Sequence, residues 1–487
     1  MTTDDFEQRE RERLSARVGR LDAAAAWRAE HTRFRSYYQA QMRRLLGSLV
    51  PPGGRVLEVG CGDGDLLASL DGARRVGIDV SPRAIEIAAR RHPELELSVA
   101  DVERSDLPAL LGGPFDTIVL SDSLGLLDDV QQALERLTPL LAPGGRVVVT
   151  YYSFTWEPLL RAGEALGLKS PTPDQNWLSM DDLENLLALA DLEVVRRGTD
   201  VLVPVPIPVV SDVANRVAAK LPVLKEGSLV SYFVARHRPA VLPVELPRVT
   251  VVCPCRNERG NVREAIARTP VMGPATELVF VDGSSTDGTV EEIEAAIRDY
   301  RGPLELRLVH QGDGKGKGDA VRKGFARARY EVLMILDADL TVVPEDLPKF
   351  YRALVTGKGE LINGVRLVYP MEGQAMRFLN LVGNKFFGAA LSWLLEQNIK
   401  DSLCGTKVLY KRAYEQIAAH RAFFGDFDPF GDFDLLFGAA RLNLKIVDLP
   451  VRYRARIYGD TKISRFSHGF MLLKMTAFGF KKLKLVM

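Results

Sequence analysis

The chain has 487 residues, too many for a single core and in the range of about two to four domains. Apolar residues make up 46%, charged residues 26%, and the formal net charge is +1, so the composition is that of ordinary globular domains and nothing global draws it to nucleic acid. The first twenty residues are polar and mixed in charge, which predicts no secretory signal, and no stretch approaches the ~20 apolar residues that span a bilayer.

Residues 1–48 read as a helical N-terminal segment, with good helix formers at apolar spacing in Ala23–Trp27 and Tyr37–Leu49. From residue 49 short apolar runs alternate with helical stretches. Strands are expected at Arg55–Val59, Arg75–Asp79, Glu96–Val99, Thr117–Leu120 and Val147–Tyr151, with helices at Pro82–Arg91 and Val130–Leu141. Ser211–Phe233 closes this unit with a helix and then a strand. Residues 238–247 carry Pro239, Pro243 and Pro247 and read as a linker between a first domain, 49–237, and a second, 248–468.

The second domain repeats the alternation. Strands are expected at Val249–Cys253, Glu277–Val281, Glu305–His310 and Val332–Asp337, with helices at Asn261–Thr269, Thr289–Tyr300 and Gly318–Ala328. Residues 469–487 form an apolar and basic C-terminal helix. The fold class is therefore α/β, two Rossmann-like domains in tandem behind a helical extension. The four cysteines include Cys253 and Cys255, which share a strand face. No histidine or second cysteine pair lies near enough for a zinc site, so buried thiols in a reducing cytoplasm are expected.

Arg55-Val-Leu-Glu-Val-Gly-Cys-Gly-Asp-Gly64 runs a strand into a glycine triplet that lets backbone turn sharply beside a ligand. NAD-binding domains use such a loop too, so the neighbours decide. Asp79 ends the second strand in Val-Gly-Ile-Asp, Asp101-Val102 follows the third, and Leu141-Ala-Pro-Gly-Gly turns into a fifth. In this order the motifs resemble class I S-adenosylmethionine-dependent methyltransferases over roughly residues 45–237. The resemblance assigns Glu58, Gly60 and Gly62 to the methionine end of the cofactor, Asp79 to its ribose, and Asp101 with Val102 to its adenine. Asp122 would face cofactor and acceptor. Tyr151, Tyr152 and Trp177 are candidates for an acceptor pocket, although aromatic residues there are more often packing. A folded but catalytically silent module is the alternative for this half.

In the second half, Val251-Val-Cys-Pro-Cys-Arg-Asn-Glu258 is a strand ending in Pro-x-Arg-Asn-Glu, and a later strand ends in Val-Asp282-Gly-Ser-Ser-Thr-Asp-Gly-Thr289. Gly312-Asp-Gly-Lys-Gly-Lys-Gly is a glycine-rich loop feeding a helix, where amides and Lys315 and Lys317 favour an anion. Met334-Ile-Leu-Asp337-Ala-Asp339 places two carboxylates at i and i+2 after an apolar strand, hard oxygen ligands suited to Mg²⁺ or Mn²⁺. Together these resemble family 2 glycosyltransferases of the GT-A fold. The resemblance implies a nucleotide-sugar donor held by Pro254, Arg256, Asn257, Glu258, Asp282, Lys315, Lys317, Asp337 and Asp339, with Asp337 and Asp339 on the metal. Asp287 is expected to cap the helix near Thr289.

Asp401-Ser-Leu-Cys-Gly-Thr-Lys407, Phe-Gly-Asp432-Phe-Asp434 and Leu-Pro-Val-Arg-Tyr453 resemble polyprenyl-phosphate (dolichyl-phosphate) glucose and mannose synthases over about residues 247–470. Two departures are Thr341, where mannosyl members carry a glutamine, and Asp434, where the glucosyl pattern has a glutamate. The resemblance implies inverting transfer to a lipid phosphate. An anionic acceptor needs positioning cations more than a strong base, and Arg366, Arg377 and Asn384 are assigned to it. Asp432 would orient the acceptor or, with a hydroxyl acceptor, act as the general base. Phe378–Leu395 and Phe470–Phe480, with Lys481, Lys482 and Lys484 after it, suit an interfacial helix, the core or an oligomer interface equally. The expectation is peripheral contact at the cytoplasmic face of a membrane.

Overall fold

The computed structural model describes residues 15–26, 32–165, 176, 178–238, 245–314, 316–366, 378–421, 432–451 and 465–485; side chains of residues 32–35, 154, 378–385, 432 and 465–470 lie outside the description. The chain separates into two units that part between Arg238 and Pro239.

In the first unit the β-branched runs form seven strands: β1 (Gly54–Val59), β2 (Gly72–Asp79), β3 (Glu96–Val99), β4 (Phe115–Ser121), β5 (Leu141–Tyr152), β6 (Leu192–Asp200) and β7 (Val230–His237). Their order is β3-β2-β1-β4-β5-β7-β6, parallel except for β7, which runs antiparallel to β5 and β6. Val56 and Leu57, Val119 and Leu120, and Val148 and Val149 alternate between two buried clusters, so both sheet faces are covered and the strands read as near-continuous apolar runs. Helix starts follow local chemistry: the Ser81 hydroxyl accepts from the Ala84 N–H at 3.0 Å, and Pro82 opens the helix Pro82–Arg91. The order reverses between β1 and β4, which places a ligand crevice at the carboxyl ends of those strands.

The second unit carries β8 (Val249–Cys255), β9 (Thr276–Asp282), β10 (Glu305–His310), β11 (Val332–Ile335), β12 (Leu361–Val365), β13 (Lys407–Tyr410) and β14 (Ile446–Pro450). The order is β10-β9-β8-β11-β13-β12-β14, with β13 antiparallel to both neighbours and the reversal between β8 and β11. Cys253 and Cys255 fall on one buried face, as alternation requires, and all four cysteines are free and buried.

Two local expectations change, and a third point was left open. β6 was not foreseen, because Arg196 and Arg197 break its apolar pattern; Arg196 is nonetheless buried, its guanidinium 5.8 Å from the centre of the Tyr232 ring. The turn Leu141–Gly145 lies inside β5: Phe115 pairs with Leu141 and Thr117 with Arg146, so the intervening residues bulge from the ladder. Finally, the helices Phe378–Leu395 and Arg465–Phe480 pack together, with Trp393 stacked on Phe480 at 5.4 Å. Lys484, one of the three lysines after that helix, is buried in an ion pair with Glu396.

Candidate functional site

Each unit gathers its motif residues at the reversal of its own sheet. In the first, the glycine loop folds back on β2: the Gly62 N–H donates to the Asp79 carboxylate at 2.9 Å, and the Ser81 N–H donates to its other oxygen at 2.9 Å. Gly60 sits at φ 76°, and a Cβ there would lie 2.8 Å from that of Ser123. Glu58 is 2% exposed and its Oε2 has no protein partner. Burial first, then Asp63 and Asp79, push its carboxyl well above the ordinary range. An orphaned buried acceptor beside an open glycine loop fits a ligand that donates hydrogen bonds.

Asp101 accepts from the Glu103 N–H at 2.9 Å and from Arg104 at 3.0 Å, and Val102 is buried beside it. Asp122 stands at φ 52°, with Oδ1 accepting from the Thr150 hydroxyl at 3.1 Å and Oδ2 from the Tyr38 hydroxyl at 2.6 Å. Tyr38 belongs to the helix Thr32–Leu49; burial and then Asp122 hold its hydroxyl protonated well above the usual phenol range. The N-terminal segment contributes again through Arg17, which donates to Glu103 and Asp128 at 3.0 Å each and to the Leu126 carbonyl at 2.7 Å. Neither Tyr38 nor Arg17 was foreseen, since their partners lie 84 and 86 or more residues away. Of the aromatic candidates, Tyr151 is 5% exposed and stacks on Phe233, which makes it core. Tyr152 lies 6.0 Å from the Tyr38 ring, and Trp177 is outside the described residues.

In the second unit the two opening motifs are stitched together. Asn257, at φ 57°, accepts from the Thr286 N–H at 2.8 Å, while its own N–H donates to the Ser285 hydroxyl at 2.9 Å. The Glu258 N–H donates to the Thr289 hydroxyl at 3.0 Å, and the Glu258 carboxylate accepts from Asn261 at 2.8 Å. Asp282 is 4% exposed and accepts from the Ser284 N–H at 3.0 Å and the Ser285 N–H at 3.3 Å. Pro254 is half-buried and Arg256 exposed at the same strand end. Asp287 accepts from the Thr289 N–H at 3.1 Å, at the start of the helix Thr289–Asp299.

The glycine-rich loop is tied down by Gln311, a buried residue whose side-chain amide donates to the Gly316 carbonyl and the Asp319 carboxylate, both at 2.9 Å. Lys315 lies outside the described residues. Lys317 is not extended toward open space: its ammonium meets Asp337 Oδ1 at 2.6 Å. Burial raises the Asp337 carboxyl, but Lys317, Arg366 and Lys407 outweigh that and hold it below its ordinary value. Asp339 Oδ1 accepts from the Thr341 hydroxyl at 2.8 Å and its N–H at 3.2 Å, so Thr341 orients that carboxylate. Among the described residues no group of three or more His, Cys, Asp or Glu forms a complete metal cage. Two hard carboxylates completed by ligand and water oxygens still suit Mg²⁺ or Mn²⁺.

Of the residues assigned to the acceptor, Arg366 is the one whose side chain is described, and it is held in an ion pair. Arg366 Nε and Nη2 donate to the two oxygens of Asp401 at 2.7 and 2.8 Å, a bidentate pair that occupies much of its fork. Burial raises the Asp401 carboxyl, but the Arg366 charge and hydrogen bonds carry it below its ordinary value. Lys407 is fully buried and donates to the Cys404 carbonyl at 2.6 Å. Asp434 accepts from Arg421 at 2.9 Å. Arg377 lies outside the described residues, as do the side chains of Asn384 and Asp432.

Residues 250–417 match the family model of glycosyl transferase family 2, and residues 30–197 match that of a methyltransferase domain. Dolichol-phosphate mannosyltransferase of Saccharomyces cerevisiae is 36% identical over 110 residues, which are 22% of this chain and 40% of that protein. The chain thus spans well under two thirds of that relative's length. Polyprenol monophosphomannose synthase of Mycolicibacterium smegmatis is 27% identical over 241 residues, 48% of this chain and 88% of that protein. Among solved structures, a SAM-dependent methyltransferase of Thermotoga maritima, a possible histamine N-methyltransferase, is similar at 18% identity and TM-score 0.34, covering 44% of this chain and 97% of that one.

Proposed function

A chain that carries a methyltransferase domain followed by a family 2 glycosyl transferase domain is, we propose, a bifunctional transferase acting on lipid-linked substrates. The second unit moves a sugar, with inversion, from a nucleotide-sugar to a polyprenyl phosphate. The observation that carries this reading is the convergence of Glu258, Asp282, Asp337 and Asp339 at the ends of β8, β9 and β11, with both opening motifs locked by Asn257. Glu258 and Asp282 accept from the base and ribose of the donor, a task for groups that only accept. Asp337 and Asp339 would hold Mg²⁺ or Mn²⁺, which neutralises charge gathering on the departing nucleoside diphosphate.

A lipid phosphate is supported by the names of the two relatives and by the chemistry of an already anionic nucleophile, which needs orientation more than deprotonation. Arg377, Asn384 and Asp432 are proposed to position it; Arg366 is proposed to act through the loop it holds with Asp401. No helix among the described residues is long and apolar enough to cross a membrane, so contact with the bilayer is proposed to be peripheral, at the cytoplasmic face. Nucleotide release assayed with short polyprenyl phosphates against simple alcohols tests the acceptor class. Release dependent on the phosphate supports it, and equal release with a hydroxyl acceptor contradicts it.

The first unit is proposed to bind S-adenosylmethionine and to methylate an acceptor in the same pathway. The bound cofactor supplies a methyl group on a good leaving group, so this chain's residues chiefly align it. Glu58 accepts from the ammonium end, Asp79 from the ribose, and Asp101 with Val102 flank the adenine. Tyr38 and Thr150 fix Asp122 toward the acceptor side. Gly60→Ala is expected to strain the loop by about 1–2 kcal/mol, since Gly60 has φ 76° and a Cβ there meets Ser123. Calorimetric titration with S-adenosylhomocysteine should show about tenfold or greater weakening.

A further inference from the structure

Lys317 and Asp337 form an ion pair across the mouth of the donor site, 2.6 Å apart, with 30% and 25% of their side chains exposed. A pair this far desolvated is not an incidental surface contact. It is also confined from above: a Cβ on Gly405 would lie 2.1 Å from Lys317 Nζ and 2.2 Å from Asp337 Oδ2, so only a glycine lets that backbone close over the pair. The backbone is itself fixed, because Asp401, four residues earlier, is gripped by Arg366. Arg366 and Lys407 add to the positive potential at Asp337. A divalent cation arriving alone therefore meets one of its two carboxylates already paired with an ammonium.

Lys317 is the second residue of the helix Gly316–Arg327, whose opening turn favours an anion. The ammonium thus has two possible partners within reach of one side chain, the carboxylate it now holds and a diphosphate at the helix start. We propose that Lys317 is a latch on the metal site: it stands in for the divalent cation until a nucleoside diphosphate draws it off Asp337, so metal binds in company with donor and poorly before it. The inference rests on the metal-assisted donor reading given above and adds an order of binding to it. By linkage, the coupling is reciprocal, and metal tightens the nucleotide by the same factor that nucleotide tightens the metal.

The test is Mn²⁺ titration of the full chain, read from the electron paramagnetic resonance signal of free Mn²⁺, alone and with saturating UDP or GDP. Wild type should bind Mn²⁺ weakly alone and between about 5- and 150-fold more tightly with the nucleoside diphosphate that fits. Lys317→Gln should bind Mn²⁺ alone more tightly, by a factor of the same order, and lose most of the coupling. Nucleotide-dependent Mn²⁺ binding with no gain in Lys317→Gln would overturn the latch and leave the donor reading standing. No Mn²⁺ binding by wild type with either nucleotide would overturn both.

Discussion

Asp339→Ala is expected to lower sugar transfer by about 10²- to 10³-fold, the scale seen when one preorganised charge-stabilising group is removed from an enzyme active site. Asp339 follows β11 and is held by Thr341, whose hydroxyl and N–H both donate to Oδ1. That bonding orients the carboxylate through Oδ1. The alanine also forfeits the Thr341 contacts, at a local cost of about 1 kcal/mol. Asp339→Asn separates the two effects: its side-chain oxygen still accepts from Thr341, while the charge is gone. Steady-state rates should fall comparably in both variants, with thermal unfolding of the asparagine variant close to wild type. Activity within tenfold of wild type in the asparagine variant would remove Asp339 from the metal.

Arg366→Met is expected to destabilise the second unit by about 3–5 kcal/mol, because it strands a buried charge. The Asp401 side chain is fully buried and that of Arg366 is 12% exposed, with two parallel hydrogen bonds between them and a third from the Arg366 N–H at 3.1 Å. Arg366→Met with Asp401→Leu should recover much of the loss, since the cost lies in the unpaired carboxylate rather than in the missing attraction. With two units on the chain, denaturant unfolding has to be followed as two transitions, only one of which should move. The pair also sets a pH dependence. The Asp401 carboxyl lies below its ordinary value of 3.8 when folded, so its contribution is present above that value and is lost as pH falls through the lower folded one. A variant with unchanged stability but a raised KM for lipid phosphate would instead return Arg366 to the acceptor site.

The strands that carry the motifs were legible because doubly covered parallel strands are runs of valine, isoleucine and leucine with few alternatives. Arg55–Val59, Thr117–Leu120 and Val249–Cys253 fall within the strands observed. β6 was not legible, since a buried arginine looks the same in sequence as an exposed one. Candidate site residues were legible where a carboxylate ends or follows a strand, as with Asp79, Asp282 and Asp337, because topology brings strand ends to one edge. Their partners were not found. Lys317 pairs with Asp337, Arg366 meets Asp401 35 positions along the chain, and Tyr38 meets Asp122 84 positions along. A basic residue in a glycine-rich or arginine-rich stretch reads as a ligand for phosphate, and only the fold shows the acid it pairs with. Gly405 carries no local sign at all; its role comes from the pair it must pass.

The most direct test of the account is transfer of radiolabel from a panel of nucleotide sugars into organic-extractable lipid, using the full chain with Mn²⁺ and a short polyprenyl phosphate. Label entering the organic phase from one donor, only with the lipid phosphate and not with Asp339→Asn, is the result predicted. Label that stays aqueous for every donor, while a hydroxyl acceptor becomes glycosylated, would contradict it.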